Sequence, residues 1–150
     1  NWGLPKGCDC YRIVTIAQRT LGSGRWALDA PNGDFGAGQN KCNLYVCDVI
    51  SEALGWCPRR WGGLGGPISA GTWGDPDAEI PGFPVVKTPQ LGDVAAVPYP
   101  YSNATGHVGF VSGPRSTISA PGGPVTETGW PWDPSSTPQG TPVFRRCTCE

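Results

Sequence analysis

The chain has 150 residues, the usual size of one domain, with 11 basic and 12 acidic side chains and a formal net charge of -1. So even a balance leaves no basic surface to neutralise phosphates, which sets nucleic acid and anionic membranes aside as partners. Glycine (23) and proline (17) are abundant, yet seven Trp and seven Cys belong to a packed, loop-rich domain rather than a disordered chain.

The opening residues Asn1, Trp2 and Gly3 include no initiator Met and no apolar leader, which predicts a mature, secreted protein. No apolar run nears the roughly 18 residues of a spanning helix. Asp9 is placed to cap a first helix running to about Leu21, with Ile13, Ile16, Ala17, Thr20 and Leu21 on one face and Gly22 as its stop. Residues 22–39 read as a loop. A second helix takes Asn40 as its N-cap, an apolar stripe of Cys42, Tyr45, Val46, Val49, Ile50 and Ala53, and Gly55 at its C-terminal cap.

From Trp56 to Pro89 the density of Gly, Pro and Trp predicts irregular structure with at most one helical turn. Trp56, Trp61 and Trp73 in that stretch, and Trp130 and Trp132 later, either flank a cleft or fill core gaps. Five strands follow: Asp93 to Val97, His107 to Ser112, Ser116 to Ala120, Pro124 to Thr128 and Val143 to Cys149. Helices first and a meandering antiparallel sheet after them predict an α+β fold, one domain over residues 1–150.

The cysteines are Cys8, Cys10, Cys42, Cys47, Cys57, Cys147 and Cys149, a density suited to an oxidising compartment. Antiparallel terminal segments would pair Cys8 with Cys149 and Cys10 with Cys147. Cys42 and Cys47 share a helix at a separation too long for a bridge, whereas Cys47 reaches Cys57 if the chain reverses at Gly55. Cys42 is then the free thiol. The rival is a structural zinc site built from the two Cys-x-Cys pairs.

Taken alone, a cysteine on an apolar helix face is a small buried hydrophobe, and a single histidine is a hydrogen-bonded structural residue. Together they form the minimum of a nucleophile and its base. A thiol in the first turn of a helix feels that terminus's partial positive charge, which favours thiolate, and free backbone N–H groups lie nearby. The chain's one imidazole, His107, opens a strand after Gly106.

Asn40-Lys-Cys42-Asn-Leu-Tyr-Val, Leu91-Gly-Asp-Val, Gly106-His107-Val-Gly-Phe-Val and Thr117-Ile-Ser-Ala, in that order, resemble the NlpC/P60 and CHAP superfamily of papain-like cell-wall cysteine peptidases and amidases. The likeness spans about residues 38–130 and is nearest to small peptidoglycan amidase effectors. It implies a papain-like NlpC/P60 fold and hydrolysis of amide bonds in peptidoglycan stem peptides, such as D-Glu to diaminopimelate, by a monomer without metal or organic cofactor. An inhibitory immunity partner is left open. It also implies Cys42 as nucleophile, His107 as general base, Ser119 at the position that orients the imidazole, and the Cys42 amide with Gln39 or Asn40 for the oxyanion. Family members often carry His or Asn where Ser119 stands, so the orienting contact is weaker here. Asp93 reads as structural.

The competing class is a non-catalytic, disulfide-rich module that holds wall or glycan through Trp and Tyr. A thiol acyltransferase, or a peptidase acting on protein, is a third reading. Asn103-Ala-Thr105 forms an N-glycosylation triplet four residues before His107.

Overall fold

The structure, a computed structural model, describes residues 9–32, 35–36 and 38–148. Helix α1 spans Arg12–Arg19 and α2 spans Cys42–Leu54, with a third single-turn helix, α3, at Ala70–Trp73. Asp9 enters α1 through its carbonyl, which accepts the Arg12 N–H at 2.9 Å, and no side chain caps the helix. The helix stops short of Leu21, which is exposed, because the Thr20 hydroxyl turns back to Ala17 O at 2.7 Å and meets the Tyr45 hydroxyl at 2.8 Å.

The predicted stripe of α2 is buried in full, joined by Cys47. Gly55 ends the helix at φ 85 with its N–H on Ser51 O, a left-handed conformation that a Cβ would penalise.

Six antiparallel strands form one sheet: β1 (Val85–Val86), β2 (Val94–Pro98), β3 (Gly106–Gly113), β4 (Ser116–Ser119), β5 (Thr126–Thr128) and β6 (Val143–Arg145), in the order β1-β6-β2-β3-β4-β5. The α+β class expected from the element order is therefore observed, with β1 as an additional edge strand. Val94, Ala96, Val108, Phe110 and Ile118 pack with α1 and α2, while Ala95, Val97, Val111 and Phe144 pack with Trp130 on the opposite face. Period-two alternation with both faces covered explains why Val94 to Val97 is apolar throughout.

β6 lies between β1 and β2, and that crossover carries the C-terminal segment back to the start of α1. Cys10 and Cys147 are bonded there, and Cys47 bonds Cys57, with Cα separations of 5.7 and 5.4 Å. Both match the predicted pairing; the predicted Cys8–Cys149 bridge lies outside the described residues. The Cys10–Cys147 bond also removes two of the four sulfurs a terminal zinc site would have used.

Two arginines fasten the frame. Arg146 meets Asp93 at 2.9 Å, and Asp93 also accepts the Gln90 N–H, a structural role as expected. Arg145, buried to 1%, donates to the carbonyls of Trp73, Phe83, Asp75 and Ala78, holding the segment that follows α3. Among the described residues no helix is long and apolar enough to cross a membrane.

Candidate active site

The segment entering α2 is locked before the helix begins. Lys41 is fully buried, and its ammonium donates to the carbonyls of Ala27 at 3.0 Å, Leu28 at 3.2 Å and Gln39 at 2.9 Å. All three donors of the group are thereby used. Lys41, not the expected Asn40, takes the cap position of α2; Asn40, one residue earlier, accepts the Cys42 N–H on Oδ1 at 3.1 Å. The Cys42 amide expected to face an oxyanion donates to Asn40 instead.

Cys42 opens α2 and is the free cysteine among the described residues. Its thiol is buried, and the backbone N–H groups of Val108, Asn43 and Cys42 itself surround it. Burial outweighs those donors and pushes the thiol up from 9.0 to about 11, so the thiolate expected from the helix terminus is not the resting form.

His107 stands on β3 immediately before Val108. Its Nε2 lies 2.9 Å from Ser119 Oγ on β4, and its ring meets the edge of Trp130 at a centroid distance of 4.6 Å. Trp130 is itself held by two bonds, Thr117 Oγ1 to its carbonyl at 2.8 Å and its indole N–H to Pro138 O at 3.0 Å. Burial beneath this ring lowers the imidazole from 6.5 to about 4. The imidazole therefore rests neutral.

The strand decides how the two groups approach. Val111 N–H bonds Asp93 O, so odd-numbered N–H groups of β3 point to β2 and even-numbered ones to β4. β4 ends at Ser119 and its pairs with β3 run only from Phe110 to Gly113, so the Val108 N–H lies beyond the ladder, on the side of the thiol. Val108 faces α2 while His107 leaves the strand on the Trp130 side. The thiol thus meets β3 one residue from the imidazole, at the place where the fourth strand has ended.

A cleft of about 860 Å³ reaches Cys42 and is lined also by Gln39, Asn40, Arg59, Arg60 and Asn103. His107 and Ser119 are not among its lining residues. Gln39 Oε1 accepts the Gly36 N–H, so both side-chain amides beside the thiol use their oxygens internally and keep their NH2 groups as donors. Tyr101 stands near enough to Cys42 for its phenol to be raised, first by burial, then by Tyr99 and Cys42.

The tryptophans divide. Trp73 and Trp130 are core, Trp56 and Trp61 are exposed, and none lines the cleft. Lys41, Tyr101 and the Trp130 cover over His107 were not found from sequence; for Lys41 the one available signal was its place next to Cys42. Comparison with protein-family models, with curated proteins and with solved structures finds no match for this chain.

Proposed function

We propose that this protein is a secreted cysteine hydrolase of papain-like NlpC/P60 type that cleaves amide bonds in peptidoglycan stem peptides, for example between D-Glu and diaminopimelate. The observation that carries the reading is a free thiol that lines a cleft beside the backbone of the residue that follows the only histidine, with that histidine bonded to Ser119.

The neutral pair sets the mechanism. The mechanism takes the tautomer in which Nε2–H donates to Ser119 Oγ, which leaves Nδ1 bare as the base. In the proposed step the Cys42 sulfur attacks the amide carbon and its proton passes to Nδ1, which requires the imidazole to turn from its resting place against Trp130 toward the cleft; the oxyanion is met by the NH2 groups of Gln39 and Asn40. Collapse breaks the C–N bond and the imidazolium protonates the leaving amine. Water, deprotonated by the same nitrogen, then hydrolyses the thioester and restores the thiol.

Mass spectrometry of muropeptides from purified peptidoglycan tests this. Wild type releases new amines at one bond and Cys42→Ala, correctly folded, releases none; equal release by both proteins would overturn the reading. The exposed side chains of Trp61 (76%) and Leu64 (91%) favour, as a second reading, a wall-binding module. That reading gains if wall retention survives Cys42→Ala, is lost in Trp61→Ala, and no bond is cut by wild type.

A further inference from the structure

We infer that the Arg59 and Arg60 end of the cleft is a carboxylate subsite, so that the bond presented to Cys42 belongs to an acidic peptide. For the reaction this rests on the hydrolase reading; for binding it does not.

Both arginines line the cleft that reaches Cys42. They follow Cys57, whose bond to Cys47 ties them to the helix that carries Cys42. The loop closes tightly on Arg60: its N–H bonds Gly66 O at 3.0 Å, and its carbonyl accepts from Gly63 at 3.2 Å and from Gly65 at 2.8 Å. Arg59 forms an isolated bridge with Pro67. The backbone under both guanidinium groups is therefore set before any ligand arrives.

The Arg60 guanidinium has a built seat. Its carbon lies 5.5 Å from the centroid of the Trp61 ring, and a Cβ on Gly66 would stand 3.0 Å from Nη2, close enough to make the guanidinium shift. Trp61 itself holds φ 55, a left-handed conformation that a bulky aromatic residue rarely adopts.

What the seat lacks is an acceptor. Among the described residues neither Arg59 nor Arg60 donates a side-chain hydrogen bond, and no carboxylate lies within ion-pair distance of either. Arg145 and Arg146 are the contrast, each with its donors taken by carbonyls or by Asp93. Among the described residues the one acidic lining residue is Asp48, whose Oδ2 accepts the Trp26 indole N–H at 2.8 Å. In a chain of net charge -1, the described lining of the cleft thus gathers two guanidinium forks against one carboxylate, which is already bonded through one oxygen. A planar fork without a partner matches a carboxylate in two parallel bonds.

The test uses a stem-peptide substrate with its carboxylates free and versions amidated one carboxylate at a time. Turnover is measured with wild type, Arg59→Gln, Arg60→Gln and the double variant, and binding by calorimetry on Cys42→Ala with and without the arginine changes. Gly66→Ala displaces Arg60 by an independent route. Amidation of one particular carboxylate lowers kcat/KM and affinity of the arginine-containing protein roughly 10- to 100-fold. The double variant brings that ratio near one by losing activity and affinity for the free carboxylate. A ratio near one in wild type, or a ratio that persists in the folded double variant, overturns the subsite. Turnover without discrimination rejects the subsite and keeps the hydrolase; arginine-dependent binding without turnover by wild type does the reverse.

Discussion

Burial of a neutral imidazole makes acid stability a direct probe of the site. His107 falls from 6.5 in the unfolded chain to about 4 in the folded protein because Trp130 and the sheet exclude water from it. Between those values the unfolded chain holds a proton there that the folded protein does not, so stability drops as pH falls from 6.5 and levels off below 4. The full difference is worth roughly 3 kcal/mol, most of it already lost at pH 4.5. Urea unfolding followed by Trp fluorescence at pH 7 and pH 4.5, on wild type and His107→Gln, isolates it, because carboxylate titration is common to both proteins. Wild type loses roughly 2 to 3 kcal/mol more than the variant over that interval. Parallel losses would refute the reasoning, since they would mean an imidazole that titrates as it does in water.

Cys42 carries the mirror-image expectation at alkaline pH. With the thiol raised to about 11, iodoacetamide alkylation is slow at pH 7 and still climbing above pH 9, and wild type loses stability relative to Cys42→Ala as pH rises from 9 to 11; half-maximal reactivity near pH 8.5 would contradict it. Ser119→Ala frees Nε2 of its partner, which lowers kcat about 10-fold with little change in KM in steady-state kinetics on muropeptides, while Ser119→Asn restores most of the rate. Lys41→Met leaves the carbonyls of Ala27, Leu28 and Gln39 without their donor, and chemical denaturation shows a loss of about 3 kcal/mol. An effect under 0.5 kcal/mol there would show that water reaches those carbonyls.

Periodicity made the frame legible. The stripe from Cys42 to Ala53 marks the buried face of α2, and the alternation in Val108, Phe110 and Ile118 marks the helix-facing side of the sheet. β1 escaped because Val85 and Val86 are too few to show any period between Pro84 and Lys87. Lys41 and Arg145 escaped for a different reason: residue type argues for solvent, and only the folded backbone supplies the carbonyls that let a cation be buried. The two disulfides could be placed because Cys47 and Cys57 flank a glycine stop and Cys10 and Cys147 end antiparallel segments. The resting protonation state of Cys42 was not legible. A helix terminus favours thiolate, but at Cys42 burial outweighs it and raises the thiol from 9.0 to about 11, and that burial appears only once β3 covers the turn.

A neutral thiol and a neutral imidazole that share one point of β3 suit a cleft whose charge lies elsewhere. An ion pair at rest would need solvation that the core around Cys42 and the ring of Trp130 do not supply. Proton transfer coupled to attack removes that need, because charge develops only when the substrate carbonyl is present to receive it. Under the proposed reading substrate attraction falls to Arg59 and Arg60, which line the cleft and are exposed to water. Binding charge and reacting groups are thus held apart on one helix-anchored frame, which is why substitutions at the arginines and at His107 should act on separate kinetic parameters.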